Sequence, residues 1–268
     1  MKPNLTYGIR ALLITVALTA AAASGQEQSD QAIEGEASTN CFSTHTLGKL
    51  RVCISEHGNV VKMESPLGVE HIRVGVIREG YAICAAPSPV LPAVVSHDAG
   101  SSEAGFGAVV SIVQPVPNAF PLTITRTTTS GLQFIQSFSG DSIEGDLTIT
   151  MTVRNLSGAW KYNVRVDRYF DGDINASAIG DLYARTLDSV WGYENASNGI
   201  MLRDIQLLPA TSHTTSVQTF GGHVPASCNQ PSVATPTAAG DFVGRLSYLF
   251  GTMAPNASKS VKINYARL

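Results

Sequence analysis

The stretch DLTITMTVRN, residues 146–155, indicates the fold class of this protein. Every second residue is apolar, and the apolar positions are Leu147, Ile149, Met151 and Val153. Successive side chains of a β-strand point to opposite faces of its sheet. The pattern therefore predicts a strand that is buried on one face and exposed to solvent on the other.

A second alternating stretch, KYNVRVDRYFD at residues 161–171, follows the turn-forming residues NLSG at 155–158. Tyr162, Val164, Val166 and Phe170 define its apolar face, and Lys161, Asn163, Arg165, Asp167 and Tyr169 define a face expected to be solvated. We predict that the two stretches pair as an antiparallel hairpin. Arg168 interrupts the apolar face, and we expect it to pair with a carboxylate near the rim of the sheet.

Outside these stretches the chain favours further short strands separated by turns. It contains 24 Gly and 13 Pro, and after the first 23 residues no segment sustains a helical apolar period beyond two turns. We predict an all-β protein, an antiparallel β-sandwich that is Ig-like or supersandwich-like, with no substantial helix. The segments 85–107, 171–187 and 221–240 are predicted to be long loops, where binding sites are usually found.

The N-terminus has the three parts of a secretory signal. Lys2 and Arg10 are basic, residues 11–23 carry no charge, and Ala21-Ala22-Ala23 suits a signal peptidase. The uncharged stretch is shorter than the roughly 20 residues that span a membrane. We therefore predict a signal peptide at 1–23, a flexible leader at 24–47, an N-terminal β region at 48–140, and a β-sandwich region at 141–268. The last two regions are either separate or one continuous domain, and the product is secreted to the periplasm or the cell exterior.

The balance of charges excludes two classes of partner. The chain has 18 Lys and Arg against 21 Asp and Glu, with no long run of either sign. Binding to nucleic acid depends on a basic surface that neutralises phosphates. We expect neither nucleic acid nor an anionic lipid surface as the partner. We also expect no membrane span, because no second apolar run approaches membrane length.

Four cysteines, an even number in an exported chain, predict disulfides rather than metal thiolates. They are Cys41, Cys53, Cys84 and Cys228, and no CxxC spacing occurs. Four cysteines allow three pairings, and the sequence does not choose among them. We favour Cys41–Cys53 as a local bridge and Cys84–Cys228 as a bridge across a long loop.

Two parts of the sequence resemble known families. DLTITMTVRNLSGAWKYNVRV and the late stretch LFGTMAPNASKSVKINY are similar to secreted bacterial Ig-like β-sandwich modules, over residues 146–268, although Asn256 stands where those modules usually have Gly. Upstream, EHGNVVKMESPLGVEHIRVGVIREGYAICA, within residues 48–85, resembles exported, functionally uncharacterised β-proteins and galactose-mutarotase-like supersandwiches. The resemblance implies a fold and assigns no chemistry.

Motifs that name a reaction are missing from the sequence. It contains no G-x-S-x-G, no HExxH and no P-loop, so we assign no catalytic residue and no nucleotide cofactor. His97-Asp98 and Glu70-His71 are neighbouring acid–imidazole pairs, for which we expect surface or loop roles.

Oxygen-bearing side chains recur at alternate positions in Asp171-Gly172-Asp173-Ile174-Asn175, and Asp181 follows in the same segment. Calcium prefers several such oxygens converging from a tight turn. An EF-hand is excluded because its sixth and twelfth positions would be Ala176 and Leu182. The alternatives are an acidic turn that caps its own backbone amides and a structural calcium site with Asp171, Asp173, Asn175 and Asp181 as ligands.

Two functions remain open at the level of sequence. The first is a secreted, non-catalytic β-sandwich protein that binds a glycan or protein surface or has an extracellular structural role. The alternative is a carbohydrate-active enzyme or sugar-binding protein of the mutarotase-like supersandwich type. Convergent carboxylates in a deep cleft would favour the enzyme.

Overall fold

The computed structural model describes residues 40–72, 79–100, 102–177, 180–195, 198–206, 211–219, 227–228 and 237–268. The predicted signal peptide and residues 24–39 of the predicted leader lie outside these ranges. Residues 43–47, the end of the range that we assigned to the leader, form the first strand.

Eighteen strands and one 3-10 turn, Ile174–Ala176, make up the regular structure of the described residues. The strands are β1 Ser43–Leu47, β2 Leu50–Ile54, β3 Val60–Glu64, β4 Glu79–Ala86, β5 Val94–Ala99, β6 Ser102–Ala104, β7 Ser111–Val113, β8 Leu122–Thr127, β9 Leu132–Asp141, β10 Asp146–Asn155, β11 Lys161–Asp171, β12 Leu182–Arg185, β13 Ser189–Asn195, β14 Asn198–Asp204, β15 His213–Thr219, β16 Thr237–Ala239, β17 Phe242–Met253 and β18 Ser258–Arg267. Strands β5 and β6 lie within the segment 85–107, which we had predicted to be a loop.

These strands form three antiparallel sheets. A nine-stranded sheet has the order β16-β12-β13-β14-β18-β10-β9-β8-β7, a six-stranded sheet has the order β15-β17-β11-β4-β5-β6, and β1-β2-β3 form the third. The predicted all-β sandwich is confirmed. Both large sheets combine strands from 48–140 with strands from 141–268. Within the described ranges, no helix is long and apolar enough to cross a membrane.

The predicted hairpin is wrong. Strand β10 pairs with β9 and β18, whereas β11 pairs with β4 and β17 in the other large sheet. The two alternating stretches therefore face each other across the core. Alternation specifies which face of a strand is buried, but a hairpin and two strands in opposed sheets produce the same alternation.

The apolar faces of both stretches are buried as predicted. The six core positions that we predicted, all fully inaccessible to solvent, are Leu147, Ile149, Met151, Val153, Val164 and Val166. They belong to one continuous core cluster that also includes Phe134, Phe170 and Tyr265.

Most of the second face of β11, which we expected to be solvated, is buried as well, although Lys161 is half-buried and Asn163 is exposed. Arg165, Asp167 and Tyr169 are at most 5% exposed. Arg165 and Arg245 each donate from Nη2 to the carbonyl of Ser227, at 3.1 and 3.3 Å. Ser227 therefore lies over the outer face of the six-stranded sheet. The alternation of apolar and polar residues in β11 did not reveal this covering segment.

Both favoured disulfides are confirmed. Cys41 is bonded to Cys53, and Cys84 is bonded to Cys228, 144 residues later. The first joins the chain before β1 to β2. The second attaches residue 228 to the outer face of β4, beside Ser227.

Candidate functional site

The predicted calcium ligands are only partly brought together. Oxygen atoms of Asp171, Asp173 and Asp241 lie within 4.8 Å of one another. Asp171 and Asp173 are 2% exposed, so two of the three carboxylates are buried close together. Asp241 precedes β17 and is 70 residues from Asp171 in the chain, and sequence analysis missed it. In the sequence, the one feature that could have pointed to Asp241 is the Gly240-Asp241 turn before the apolar strand β17.

The other two predicted ligands have different partners. Asn175, at a φ of 57°, donates its amide to a carboxylate oxygen of Glu194. Asp181 Oδ2 accepts the backbone N–H of Ile174 at 2.9 Å, which is the turn-capping role that we gave as an alternative. Burial raises the pKa of Asp181 to about 6, and the nearby carboxylates of Glu194 and Asp241 act in the same direction.

The calcium hypothesis stays a prediction with a revised ligand set, in which Asp241 joins Asp171 and Asp173. Millimolar calcium is expected to raise the midpoint of thermal unfolding relative to chelator, because a ligand that binds only the folded state stabilises it. Asp173→Asn should abolish this increase in the midpoint. Asp141→Asn, which changes an exposed residue at a turn, is the control and should retain the increase. An unchanged midpoint in the unmodified protein would remove the site.

A cluster of an imidazole and two carboxylates lies where the β2–β3 turn meets β5 and β6. His57 Nδ1 is 2.8 Å from Asp98 Oδ2 and 3.2 Å from Glu103 Oε2. Asp98 is fully buried, and its other oxygen accepts the side-chain amide of Asn59. The side chains of His57 and Glu103 keep 14% and 28% of their surface exposed. This is the partly accessible edge of an otherwise buried polar network.

Arg126, from β8 in the opposite sheet, completes this cluster. Its guanidinium donates Nη1 to Asp98 and Nη2 to Glu103, and Nη2 also donates to the carbonyl of Gly107 at 2.9 Å. The same guanidinium lies over the ring of Phe106, 4.7 Å from its centroid. Although the three acid and imidazole groups are close enough to share a metal ion, a fixed cation already lies against both carboxylates. These contacts join the two large sheets.

Neither of the acid–imidazole pairs that are adjacent in sequence is a pair in space. His97 and Asp98 lie on opposite faces of β5, and His97 Nε2 is 2.9 Å from Ser102 Oγ. His71 is fully buried, with Nε2 2.8 Å from the carbonyl of Ser65. Both histidines are buried, so the expected surface role is wrong for both, because burial depends on which strands pack over them. His71 does lie in the loop after β3, whereas His97 lies in strand β5. Asp98 instead engages His57, 41 residues earlier, which no local motif indicated.

A second surface feature is the outer face of the nine-stranded sheet. Hydroxyl side chains are frequent on the outer face of three adjacent strands, β18, β10 and β9, where they alternate with Gln133, Ile135, Lys262 and Asn264. They are half-buried or exposed, and they are Ser137, Ser139, Thr148, Thr150, Thr152, Ser258 and Ser260. We call these residues the hydroxyl face. Thr152 Oγ1 lies 2.7 Å from Ser260 Oγ, so hydroxyl groups on neighbouring strands are within hydrogen-bonding distance of each other. Along one strand, side chains on the same face are two residues apart, a spacing of about 6.8 Å.

Comparisons with known proteins identify the fold and no family. No protein-family model matches the chain, and no curated protein matches it. A crystal structure of a bacterial glucoamylase complexed with acarbose is similar, with a TM-score of 0.59 and 8% sequence identity. The match covers 88% of this chain and 34% of the glucoamylase chain, so this protein spans about a third of that enzyme's length. At this identity the likeness concerns the fold alone.

Proposed function

We propose that this chain is an exported, non-catalytic β-sandwich protein that binds an extracellular glycan on the hydroxyl face. The observation that carries the proposal is the open array of serine and threonine side chains across β9, β10 and β18. Hydroxyl groups both donate and accept hydrogen bonds, and they match the hydroxyl groups of a sugar chain without requiring charge. The paired disulfides are compatible with export.

The pairing of the buried carboxylates supports a non-catalytic role. Retaining and inverting glycosidases use two carboxyl groups that flank the scissile bond, one as an acid and one as a nucleophile or base. Asp98 and Glu103 share one guanidinium, from Arg126. Glu79 pairs with Arg168, and Asp167 pairs with Arg245. These ion pairs join strands, and burial closes Glu79, Asp98 and Asp167 to a ligand.

A carbohydrate-active enzyme is the second candidate, and the shared fold with a glucoamylase is the observation in its favour. The partly exposed carboxylate of Glu103 and imidazole of His57 are the groups that such an enzyme would use. The oriented imidazole resembles a general base in geometry, because a buried aspartate holds its Nδ1.

Glycan binding and turnover are separable by experiment. The purified protein is screened on a glycan array and assayed with a panel of glycosidase and mutarotase substrates, and we expect binding without turnover. Thr150→Val keeps the β-branched shape and removes one hydroxyl from the centre of the face, so affinity should fall several-fold. Thr46→Val, on an exposed position of β1, is the matched control and should change nothing. Turnover of a substrate that is lost in the His57→Gln protein would establish the enzyme instead. Glycan binding that Thr150→Val leaves unaltered would show that the glycan binds outside the hydroxyl face.

A further inference from the structure

Strand β7 forms one edge of the nine-stranded sheet. It pairs with β8 on one side, where Ile112 lies opposite Ile124, and it ends the strand order. In the described part of the chain, no strand pairs with its other side. The chain follows β8 even before β7 begins, because the backbone N–H of Gly107 donates to the carbonyl of Thr127 at 2.8 Å. The free side of an edge strand presents backbone N–H and C=O groups that are a template for another strand.

The side chains of this edge are apolar and exposed. Val110, Val113 and Val116 are 58%, 56% and 59% exposed, and none of the residues from 107 to 117 is buried. Natural proteins commonly protect edge strands with charged side chains, lysine above all, or cover them. Residues 104–125 contain no Asp, Glu, Lys, Arg or His. This edge therefore lacks the charge that keeps a second strand away.

The exposed apolar surface continues past the end of β7 to the start of β1. Gln114 Nε2 donates to Ser43 Oγ at 2.8 Å, and the backbone N–H of Thr44 donates to Asn118 Oδ1 at 3.1 Å. Phe42, directly before these contacts in the chain, is 41% exposed. A partner strand on β7 would therefore cover apolar side chains as well as backbone groups, and a specific interface needs both.

We infer that β7 pairs with β7 of a second copy of this chain across a two-fold axis, which joins two nine-stranded sheets into one. In a two-fold contact the same surface of both copies meets, so a charged edge repels its own copy. This edge carries no charge and meets its copy without repulsion. The axis makes the two strands antiparallel, which is the pairing that β7, β8 and β9 already use.

The contact is expected to close at two copies. Pro115 and Pro117 follow shortly after β7, and proline has no backbone N–H to donate to a partner strand. The pairing is therefore confined to the residues before 115. A two-fold contact occupies the β7 edge of both copies, so it produces a discrete dimer rather than a fibre.

Dimerisation has a consequence for the hydroxyl face. Regular antiparallel pairing keeps the outer faces of the two sheets on the same side. Between β10 and its copy lie β9, β8, β7 and their three copies, so the two β10 strands are about 34 Å apart. A polymeric glycan that binds both faces gains apparent affinity without any new contact. This consequence rests on the proposed function, whereas the dimer itself does not.

Sedimentation velocity measures the dimer directly, without a glycan. The mass in solution should double as the protein concentration rises to about 200 µM, the range that suits a weak contact through one short strand. Val113→Lys gives both copies a like charge and should raise the dissociation constant of the dimer about tenfold or more. Val90→Lys, at a residue that is 90% exposed between β4 and β5, is the matched control and should leave the dimer intact.

A charge exchange separates loss of pairing from loss of folding. Val113→Glu alone should be monomeric, and an equal mixture of the Val113→Lys and Val113→Glu proteins should recover the dimer, because opposite charges then meet. Recovery requires that both variants are folded. A mixture that stays monomeric would overturn the pairing through β7.

The remaining outcomes decide the inference separately from the proposed function. An unmodified protein that stays monomeric at every concentration excludes the second copy as the partner. A dimer that survives Val113→Lys, or that Val90→Lys also abolishes, contradicts the assignment to β7, and assembly beyond two copies contradicts the two-fold contact. Glycan binding that persists in the monomeric Val113→Lys protein leaves the proposed function intact, and a dimer that binds no glycan leaves this inference intact.

Discussion

Replacing Arg168 by methionine is expected to lower the free energy of unfolding by about 3–5 kcal/mol, the cost of leaving the partner of a buried ion pair uncompensated. Arg168 and Glu79 are fully buried between the two large sheets. The guanidinium donates Nε to Glu79 Oε1, donates Nη2 to Glu79 Oε2 at 2.8 Å, and reaches the carbonyl of Gly58 at 3.0 Å. Methionine fills a similar volume and supplies none of these donors. Glu79 would be left in the core without its counter-ion, and its carboxyl group would take up a proton at neutral pH because Arg168 no longer lowers its pKa.

The remaining contacts of Glu79 do not replace the guanidinium. Its oxygens accept the backbone N–H of Val60 at 2.8 Å and the hydroxyl of Tyr265 at 2.9 Å. Burial raises the pKa of Glu79 to about 7 even though Arg168 opposes the increase. The raised pKa means that burial in the core disfavours the charged form of Glu79.

Chemical denaturation of the Arg168→Met protein measures the loss, and Arg51→Met provides the comparison. Arg51 pairs with Glu64 at 3.1 Å, but its side chain is 43% exposed, so removal of that pair should cost less than about 1 kcal/mol. Combining Arg168→Met with Glu79→Gln should recover part of the lost stability, because the second change removes the unpaired charge. Equal effects of Arg168→Met and Arg51→Met would contradict the burial of the first pair.

Val164→Asp and Arg165→Asp are both expected to destabilise the protein by about 3 kcal/mol or more, the scale for an unpaired charge placed in a core. Val164 lies in the main core and is fully buried. Arg165, on the opposite face of β11, is 5% exposed, and its Nε lies 3.2 Å from Asp167 Oδ1. An aspartate there would place two carboxylates side by side under Ser227.

Asn163→Asp is the control on the same strand. Asn163 is exposed and has a φ of 51°, a conformation that aspartate also adopts without large strain. Its replacement should change stability by no more than about 0.5 kcal/mol. Melting curves of the three variants decide the point. If Arg165→Asp behaved like Asn163→Asp, the outer face of the six-stranded sheet would be solvated, as the alternation alone predicted.

Part of the candidate site could be predicted from the residues alone. Asp171 and Asp173 share one short turn, and local spacing was enough to associate them. Asp241 and the contact of His57 with Asp98 were missed because their partners are brought together by strands that are far apart in the chain. The hydroxyl face was predicted as the solvated side of β10, but its width across β9 and β18 required the strand order.

The sequence by itself determined the all-β class, the buried faces of β10 and β11, and the expectation that the four cysteines form disulfides. The first two follow from the period of two in a strand, and the third follows from the even number of cysteines without CxxC spacing in a chain predicted to be exported. Only the tertiary structure decided that β10 and β11 lie in opposed sheets, that Arg165 and Asp167 are covered, and that His57 meets Asp98. The physical reason is that alternation records whether a side chain is buried, whereas its neighbours depend on long-range pairing between strands, which the local pattern does not encode.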